Sequence, residues 1–433
     1  MKESRYNIGL EYNGQYILFN SRTIATAALD DTALEVLHSV REGKPIEESN
    51  LVSDMKRVGF LVDDNMDELH MLEMNYNLSK NQKSGLGLVI APTMACNFAC
   101  PYCFEGIQTG IMSENIQNKI ISMASHFAKE GQNITVTWFG GEPLLAKKVI
   151  YSMSEEMMSI SKQEQVGYTA RLITNGYLLD EECVLKLKEC NVDFVQITLD
   201  GLPQTHNRKR KLKYNSSIPT FDRILENVLI ARNHGIRTSV RINVDKETQH
   251  QLDAILEMMI EKGLGESLYL GHVDANTESS KNFCSNCLTR EEFAHTALEF
   301  EKKLFENNIP TDYPVPIRTK CGADYLFSYV IDSDGDLYKC GNDIGVKQNS
   351  IGNIGEIENF IQLVQLPNKN YSKYLTWSPF KFEKCTACEI LPICQGGCPY
   401  NGIDCGEPVC DNWKYELEQY IKLKCDAATR HTD

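Results

Sequence analysis

Three closely spaced cysteines, Cys96, Cys100 and Cys103, are the residues of this sequence best suited to metal chemistry. Their pattern, C-x3-C-x2-C, follows directly after the apolar run 86–91. A cubane iron–sulfur cluster normally takes four cysteine ligands, so three leave one iron position open. Because an open metal position is where chemistry usually occurs, the spacing indicates a reactive cluster. A zinc site completed by a distant residue is the structural alternative.

Tyr102 stands just before the third cysteine, and with it the loop resembles the signature C-x3-C-x-aromatic-C of the radical S-adenosylmethionine (radical SAM) superfamily. In that family SAM chelates the fourth iron, and the reduced cluster cleaves it to a 5'-deoxyadenosyl radical that abstracts a hydrogen atom from the substrate. The resemblance therefore implies a 4Fe-4S cluster on these catalytic cysteines, with SAM as the second cofactor. The protein's part is then to position SAM and substrate.

Other segments resemble the SAM-binding motifs of the same family. Gly140-Gly141-Glu142-Pro143 matches the GGEP motif that contacts the SAM amino group in relatives, and a tight strand-to-helix turn is the alternative. Thr198-Leu199-Asp200-Gly201 resembles an S-L-D-G segment. Arg210 would pair with the SAM carboxylate, or be an exposed loop arginine. The resemblance also places Tyr102, Thr174, Asn175, Thr198, Asp200 and Asn243 in the cofactor site.

A second group of cysteines, in the C-terminal part, resembles the SPASM extension of peptide-modifying radical SAM enzymes. The resemblance implies two auxiliary 4Fe-4S clusters, hence three clusters in total. The second auxiliary set is complete, whereas the first is one ligand short and either takes Cys405 or stays open. The implied first set is Cys321, Cys340 and Cys398, and the second is Cys385, Cys388, Cys394 and Cys410.

Two features depart from that pattern. Relatives that oxidise a cysteine or serine in sulfatases carry an aspartate directly after the second SPASM cysteine, whereas here Gly341 follows Cys340 and the nearest acid is Asp343. Cys284 and Cys287 form a C-x2-C pair outside the SPASM pattern, and a zinc half-site, extra cluster ligands and a redox dithiol all remain open for it.

Alternating strand and helix patterns between residues 85 and 308 would position these residues. Strand candidates at 86–91, 134–139, 169–174, 194–199, 238–244 and 268–273 predict parallel βα units. Six such units predict an α/β fold with a partial (β/α)6 TIM-type barrel, in which functional residues lie at the carboxyl ends of the strands.

The flanking segments predict two further domains. Residues 7–12 and 15–19 alternate around Asn13-Gly14, which predicts a hairpin within an N-terminal unit resembling a winged helix. That unit would recognise the peptide or cap the barrel. The predicted domains are 1–84 for this unit, 85–308 for the radical SAM barrel and 309–433 for the cysteine-rich SPASM extension.

Charge and composition exclude several classes of partner. The formal net charge of -15 repels nucleic-acid backbones, so we expect no nucleic acid. We expect no membrane association, because no apolar run reaches the length of a membrane helix, and the start lacks a signal peptide. We therefore expect a cytoplasmic protein, in which the sixteen cysteines indicate metal ligands rather than disulfides.

These patterns predict a radical SAM peptide maturase that forms a thioether or carbon–carbon crosslink in a ribosomally made precursor peptide. Its partners would be that precursor with its leader and a reducing protein such as flavodoxin or ferredoxin. One alternative is a protein side-chain maturase of the anaerobic sulfatase type. The other is a non-catalytic iron–sulfur electron carrier or metal scaffold.

Overall fold

The computed structural model describes residues 1–105, 109–274, 277–317, 321–360, 363 and 368–430. The chain divides into two compact units. We call Asn81–Thr289 with Cys321–Thr376 the sheet unit. We call Met1–Lys80 with Arg290–Lys320 and Trp377–Asp433 the terminal unit. The sheet unit contains the loop of three cysteines.

The strands are numbered in chain order. They are β1 (Lys2–Glu3), β2 (Asn7–Tyr12), β3 (Gln15–Asn20), β4 (Thr26–Leu29), β5 (Leu61–Val62), β6 (Gly85–Ile90), β7 (Asn133–Trp138), β8 (Tyr168–Thr174), β9 (Val192–Leu199), β10 (Arg237–Val244), β11 (Leu268–His272), β12 (Ser328–Ile331), β13 (Asp336–Tyr338) and β14 (Gly352–Asn353).

The α-helices are numbered in the same way. They are α1 (Asp31–Arg41), α2 (Asn50–Val58), α3 (Glu68–Asn81), α4 (Glu114–Lys129), α5 (Lys147–Glu164), α6 (Glu181–Glu189), α7 (Pro203–Lys209), α8 (Phe221–Asn233), α9 (Leu252–Glu261), α10 (Arg290–Glu306), α11 (Lys369–Leu375), α12 (Glu383–Thr386), α13 (Leu391–Cys394), α14 (Pro399–Cys405) and α15 (Trp413–Arg430).

The sheet unit is α/β, as predicted, and its sheet is mostly parallel. Within the described residues, nine strands join in the order β11-β10-β9-β8-β7-β6-β12-β13-β14. Strands β6 to β11 are parallel neighbours in chain order, which confirms the predicted succession of six βα units. Their carboxyl ends therefore meet at one edge of the sheet, where the predicted site residues follow them.

Alternating burial gives each strand of this sheet two different faces. On β9, Ile197 is fully buried and lies beside Ile224 of α8, where both approach Gly176. Thr198, the next residue, therefore faces the opposite side of the sheet, and it is only half-buried. The face away from the helices is the one open to a cofactor or substrate.

A second hairpin turns at Asp334-Gly335, and its first strand belongs to the main sheet. β12 pairs parallel with β6 from Ser328↔Gly87 to Ile331↔Ile90, and β13 returns antiparallel to β12. All of β12 is buried, and burial favours such a partner because every backbone N–H and C=O must be satisfied.

The terminal unit contains the predicted N-terminal hairpin. β2, β3 and β4 pair antiparallel, and Asn13 and Gly14 form the turn with φ values of 49° and 74°. One hydrophobic cluster of this unit joins the hairpin to the C-terminal helices, and it contains Ile8, Leu10, Ile17, Phe19, Ile390, Ile393, Cys394, Leu417 and Ile421. The hairpin thus shares a core with residues near the end of the chain.

The division into domains 1–84, 85–308 and 309–433 stays a prediction. Among the described residues, no helix is both long and apolar enough to cross a bilayer.

Candidate active site

The loop of three cysteines begins directly after β6 and is held by the backbone of the GGEP segment. The N–H of Gly141 donates to the carbonyl of Thr93 at 3.3 Å, and that of Glu142 donates to the carbonyl of Ala95 at 2.8 Å. A Cβ on Gly140 would lie 2.5 Å from the Thr93 oxygen, and one on Gly141 would lie 2.4 Å from the Ala95 oxygen. Both positions therefore need glycine, because the two backbones touch.

The side chain of Glu142 joins the carboxyl ends of neighbouring strands. Its carboxylate is fully buried and accepts hydrogen bonds from the Leu144 N–H at 3.0 Å, the Thr174 hydroxyl at 2.7 Å and the Asn175 N–H at 2.8 Å. Burial raises the pKa of this carboxyl, while these donors and Arg210 lower it. The structure thus brings together three predicted site residues, Glu142, Thr174 and Asn175.

The network continues to the first cysteine. The side-chain amide of Asn175 donates to Oδ1 of Asn97 at 2.7 Å and lies 4.0 Å from the Cys96 sulfur. The backbone N–H of Phe98 lies 3.4 Å from the same sulfur. N–H groups directed at a sulfur favour its thiolate form, the form that binds iron.

The three thiols of the loop are compatible with an iron–sulfur cluster. Burial raises the pKa of Cys96 to about 11 and that of Cys100 to about 12, and the cysteines of the loop influence one another electrostatically. Across the described chain, no three His, Cys, Asp or Glu side chains converge as ligands of one ion. A cubane takes each cysteine on a different iron atom, so its sulfurs need not converge. The donor set therefore fits a 4Fe-4S cluster.

Tyr102, the aromatic residue of the cysteine motif, lies in a polar cluster with two other predicted residues. Its hydroxyl donates to Oδ2 of Asp200 and accepts from Nη1 of Arg210 at 2.7 Å. Arg210 lies 3.7 Å from Asp200 and is only 7% exposed, so it is not the exposed loop arginine of the alternative interpretation. Arg210 also stacks over Phe98, with 5.5 Å between its Cζ and the ring centroid.

Several buried polar atoms of this cluster are available to a ligand. Among the described residues, Oδ1 of Asp200 and Nε of Arg210 make no hydrogen bond, although each is buried. Buried polar groups normally have partners, so these atoms indicate a polar ligand beside the cysteine loop. SAM carries suitable amino, carboxylate and hydroxyl groups, so these residues fit it.

Thr198 and Asn243 lie further along the same sheet edge. Thr198 is the register partner of Arg241, and Asn243 accepts a hydrogen bond from Nε of Arg241 at 2.9 Å. Asn243 is 9% exposed. Both residues lie at the carboxyl ends of their strands, as predicted.

The segment after β11 also contacts the cysteine loop, a contact that no sequence pattern indicated. The hydroxyl groups of Thr277 and Ser279 donate to the carbonyl of Phe104, and the Phe283 ring packs edge-on against Tyr102 at 5.7 Å. Cys284 follows in the same short helical turn and is exposed. Contacts between irregular loops leave no periodic signal, so sequence patterns could not locate them.

The cysteines of the C-terminal part fall in both units. Cys321 and Cys340 lie in the sheet unit, and Cys398 and Cys405, both exposed, lie in the terminal unit. Burial raises the pKa of Cys385 to about 11, and the charges of Cys394, Cys410 and Cys388 act in the same direction. The four cysteines of the predicted second auxiliary set all lie in the terminal unit, and their role as cluster ligands stays a prediction.

Asp343, the acid nearest to Cys340, is part of a buried network. Oδ1 accepts from the amide of Asn349 at 2.8 Å, and Oδ2 accepts from the hydroxyl of Tyr374 at 2.7 Å. Asp343 is 1% exposed, and burial raises its pKa. Both oxygens are therefore engaged within the protein.

The chain is similar to proteins of known family. Residues 90–259 match the Radical SAM superfamily. The cysteine-type anaerobic sulfatase-maturating enzyme of Clostridium novyi (strain NT) is 25% identical over 340 residues, covering 73% of this chain and 88% of that protein.

Two solved structures share the fold. Native anSMEcpe with bound AdoMet and Cp18Cys peptide has a TM-score of 0.61 at 18% identity, covering 80% of this chain and 98% of that one. Streptococcus suis SuiB bound to its precursor peptide SuiA has a TM-score of 0.56 at 16% identity, covering 95% of this chain and 98% of that one.

Proposed function

Because this chain carries a radical SAM domain and is an enzyme, we propose that it is a maturase that forms a thioether or carbon–carbon crosslink in a ribosomally made precursor peptide. The cluster and SAM, when bound, supply a 5'-deoxyadenosyl radical that abstracts a hydrogen atom from the peptide. Forming either crosslink removes two hydrogen atoms, one to the radical and one as a proton and an electron.

The observation that carries this proposal is the construction of the cysteine loop at the carboxyl ends of the strands. Cys96, Cys100 and Cys103 would hold the cluster and leave one iron for SAM. Asp200 and Arg210 each have a buried polar atom without a hydrogen-bond partner among the described residues, which a ligand there would satisfy. Glu142 fixes the strand ends and the loop in one arrangement, so these groups are in place before SAM binds.

The extent of the structural likeness supports a peptide substrate. The SuiB complex with its precursor peptide covers 95% of this chain, whereas the anSMEcpe complex covers 80%. We therefore assign the N-terminal unit, with its hairpin of β2 and β3, to recognition of the leader.

A second candidate function is maturation of a protein side chain, as in anaerobic sulfatase-maturating enzymes. The likeness to the Clostridium novyi enzyme over 340 residues favours it. Gly341 at the position after Cys340 and the engaged oxygens of Asp343 argue against it, because that chemistry in relatives uses an aspartate as proton acceptor.

The C-terminal cysteines would hold the clusters that carry electrons in the proposed reaction. Two auxiliary 4Fe-4S clusters would accept the electron that the crosslink releases, and flavodoxin or ferredoxin would reduce the cluster of the cysteine loop. The electrostatic influence of Cys394, Cys410 and Cys388 on Cys385 supports the second auxiliary site. A cytoplasmic location follows from thiol ligands that must stay reduced.

The proposal is tested by reconstituting the protein anaerobically with iron and sulfide, then adding SAM and dithionite. We expect 5'-deoxyadenosine, measured by chromatography and mass spectrometry. Co-expression with a short peptide encoded beside the gene should give a peptide that has lost two hydrogen atoms per crosslink. Absence of 5'-deoxyadenosine would refute the radical chemistry, and an aldehyde on a target protein would select the second candidate.

A further inference from the structure

Arg241 on β10 holds a positive charge that no acidic side chain among the described residues neutralises. Its Nε donates to Oδ1 of Asn243 at 2.9 Å, and Nη2 donates to the backbone carbonyl of His272 at 3.3 Å. Both acceptors are neutral. Among the described residues, no carboxylate forms an ion pair with Arg241, whereas Arg210 has Asp200 and Arg237 has Asp193.

The guanidinium is fixed in place by the neighbouring strand. It lies over Gly271, where a Cβ would come within 2.1 Å of Nε and 2.6 Å of Cζ of Arg241. Any other residue at this position would displace the guanidinium. Tyr269, the register partner of Arg241, lies close enough for its hydroxyl to interact with the guanidinium.

Arg241 faces the open side of the sheet. Its register partner on β9 is Thr198, which points away from the helices, and the adjacent residues Val240 and Ile242 are fully buried. The charge is therefore presented to the space where SAM and substrate would lie. A fixed guanidinium matches the planar geometry of a carboxylate and binds it through two hydrogen bonds.

Arg241 lies on a strand that is not adjacent in the sheet to the strand preceding the cysteine loop. The loop follows β6, and β7, β8 and β9 lie between β6 and β10. The arginine that contacts the loop is Arg210, through Tyr102. A SAM carboxylate that chelates a cluster iron lies at the loop, so the anion for Arg241 comes from another molecule.

We propose that Arg241 binds a side-chain carboxylate of the substrate, an aspartate or glutamate close to the residue that is modified. The inference rests on the proposed function as a peptide maturase and adds the chemical class of the substrate. Charge-assisted hydrogen bonds are about twice as strong as neutral ones, so an acidic side chain should bind roughly tenfold more tightly than its amide.

The test uses N-acetyl-aspartate amide and N-acetyl-asparagine amide as probes of the reconstituted enzyme with SAM bound. Dissociation constants are measured by ligand-observed NMR. We expect the wild-type enzyme to bind the aspartate probe about tenfold more tightly. We expect Arg241→Gln to abolish the difference and Arg241→Lys to keep part of it.

Arg237→Gln is the matched control, because Arg237 lies on the same strand and face but is paired with Asp193 at 2.7 Å. It should keep the preference for aspartate. Equal binding of both probes by the wild-type enzyme would overturn the inference. So would a tenfold loss of SAM affinity in Arg241→Gln, since the carboxylate would then be that of SAM. If the same wild-type preparation forms 5'-deoxyadenosine, such a failure leaves the proposed function intact.

Discussion

The two groups of cysteines are held by different forces. Around Cys96 the neighbours are polar, and the buried carboxylate of Glu142 accepts three hydrogen bonds from adjacent strand ends. Around Cys385 and Cys394 the neighbours are apolar, and both cysteines belong to hydrophobic clusters that include residues of the N-terminal segment.

The difference shows two ways of preparing thiolates for a cluster. Hydrogen bonds fix direction, so the first site is shaped by residues that lie at the ends of neighbouring parallel strands. Hydrophobic packing fixes position through volume, so the second group depends on segments that are remote in sequence. The first site should therefore respond to polar substitutions, and the second to loss of apolar volume.

The largest expected effect comes from removing each group in turn. Replacing Cys96, Cys100 and Cys103 with alanine should abolish 5'-deoxyadenosine formation while iron stays on the other cysteines. Replacing Cys385, Cys388, Cys394 and Cys410 with alanine should remove the iron of the second auxiliary cluster and leave SAM cleavage intact. An iron assay and electron paramagnetic resonance measure the iron that remains. Cys190→Ala, a buried thiol on neither site, is the control. Persistent cleavage in the first variant would show that the wrong cysteines were assigned.

Loss of apolar volume in the terminal unit should act selectively on the second group. Phe19 is 1% exposed and packs in the cluster that contains Cys394, so Phe19→Ala should lower the free energy of unfolding by about 3–5 kcal/mol. Denaturant unfolding measures it, and iron analysis should show loss from the C-terminal cysteines. Tyr214→Ala is the control, since Tyr214 is 95% exposed. Equal iron loss at both groups would remove the distinction.

A polar substitution should act on the first group. Glu142→Gln replaces one acceptor oxygen with an amide nitrogen, so a buried donor loses its partner and the free energy of unfolding falls by about 1–3 kcal/mol. SAM affinity should fall as well, because the strand ends and the loop lose their connection. Glu156→Gln, on the exposed side of α5, should change neither quantity. Unchanged SAM binding in Glu142→Gln would mean that the carboxylate does not organise the site.

The smallest effect concerns pH. Burial, with Arg210 nearby, holds the pKa of His206 well below its usual value, so the folded protein keeps this imidazole neutral. The unfolded chain binds a proton below about pH 6.5, so stability is present above that pH and is lost as the pH falls, by at most about 1.4 kcal/mol per pH unit.

Urea unfolding at about pH 7.5 and pH 5.5 measures that dependence. His206→Asn should lessen it, and His250→Asn, at an exposed histidine, should leave it unchanged. An identical pH dependence in His206→Asn and the wild-type protein would exclude His206 as its source.

Much of the sheet unit could be predicted from sequence, because its signals are local. Runs of buried residues between turns located β6 to β11 within two residues, and the cysteine spacing located the loop. The sequence could not predict that Tyr102, Asp200 and Arg210 form one cluster, since their hydrogen bonds join positions about 100 residues apart.

The terminal unit was less predictable for a related reason. The hairpin of β2 and β3 was evident from Asn13-Gly14, but nothing in its alternation indicates which apolar residues cover it. Its partners include Ile390, Ile393 and Leu417. The predicted division into consecutive domains places these three residues in the C-terminal extension, apart from the hairpin. Periodicity identifies the apolar face of an element and leaves the identity of its partner open.

The shared core of the hairpin and the C-terminal helices has a consequence during synthesis. Phe19 leaves the ribosome about 370 residues before Ile390, its companion in the same cluster. At about 5–20 residues per second, that apolar face stays uncovered for roughly 20 to 75 seconds. The hairpin of a nascent chain is thus a binding site for chaperones until translation is almost finished, and a stop codon before residue 390 would leave it permanently exposed.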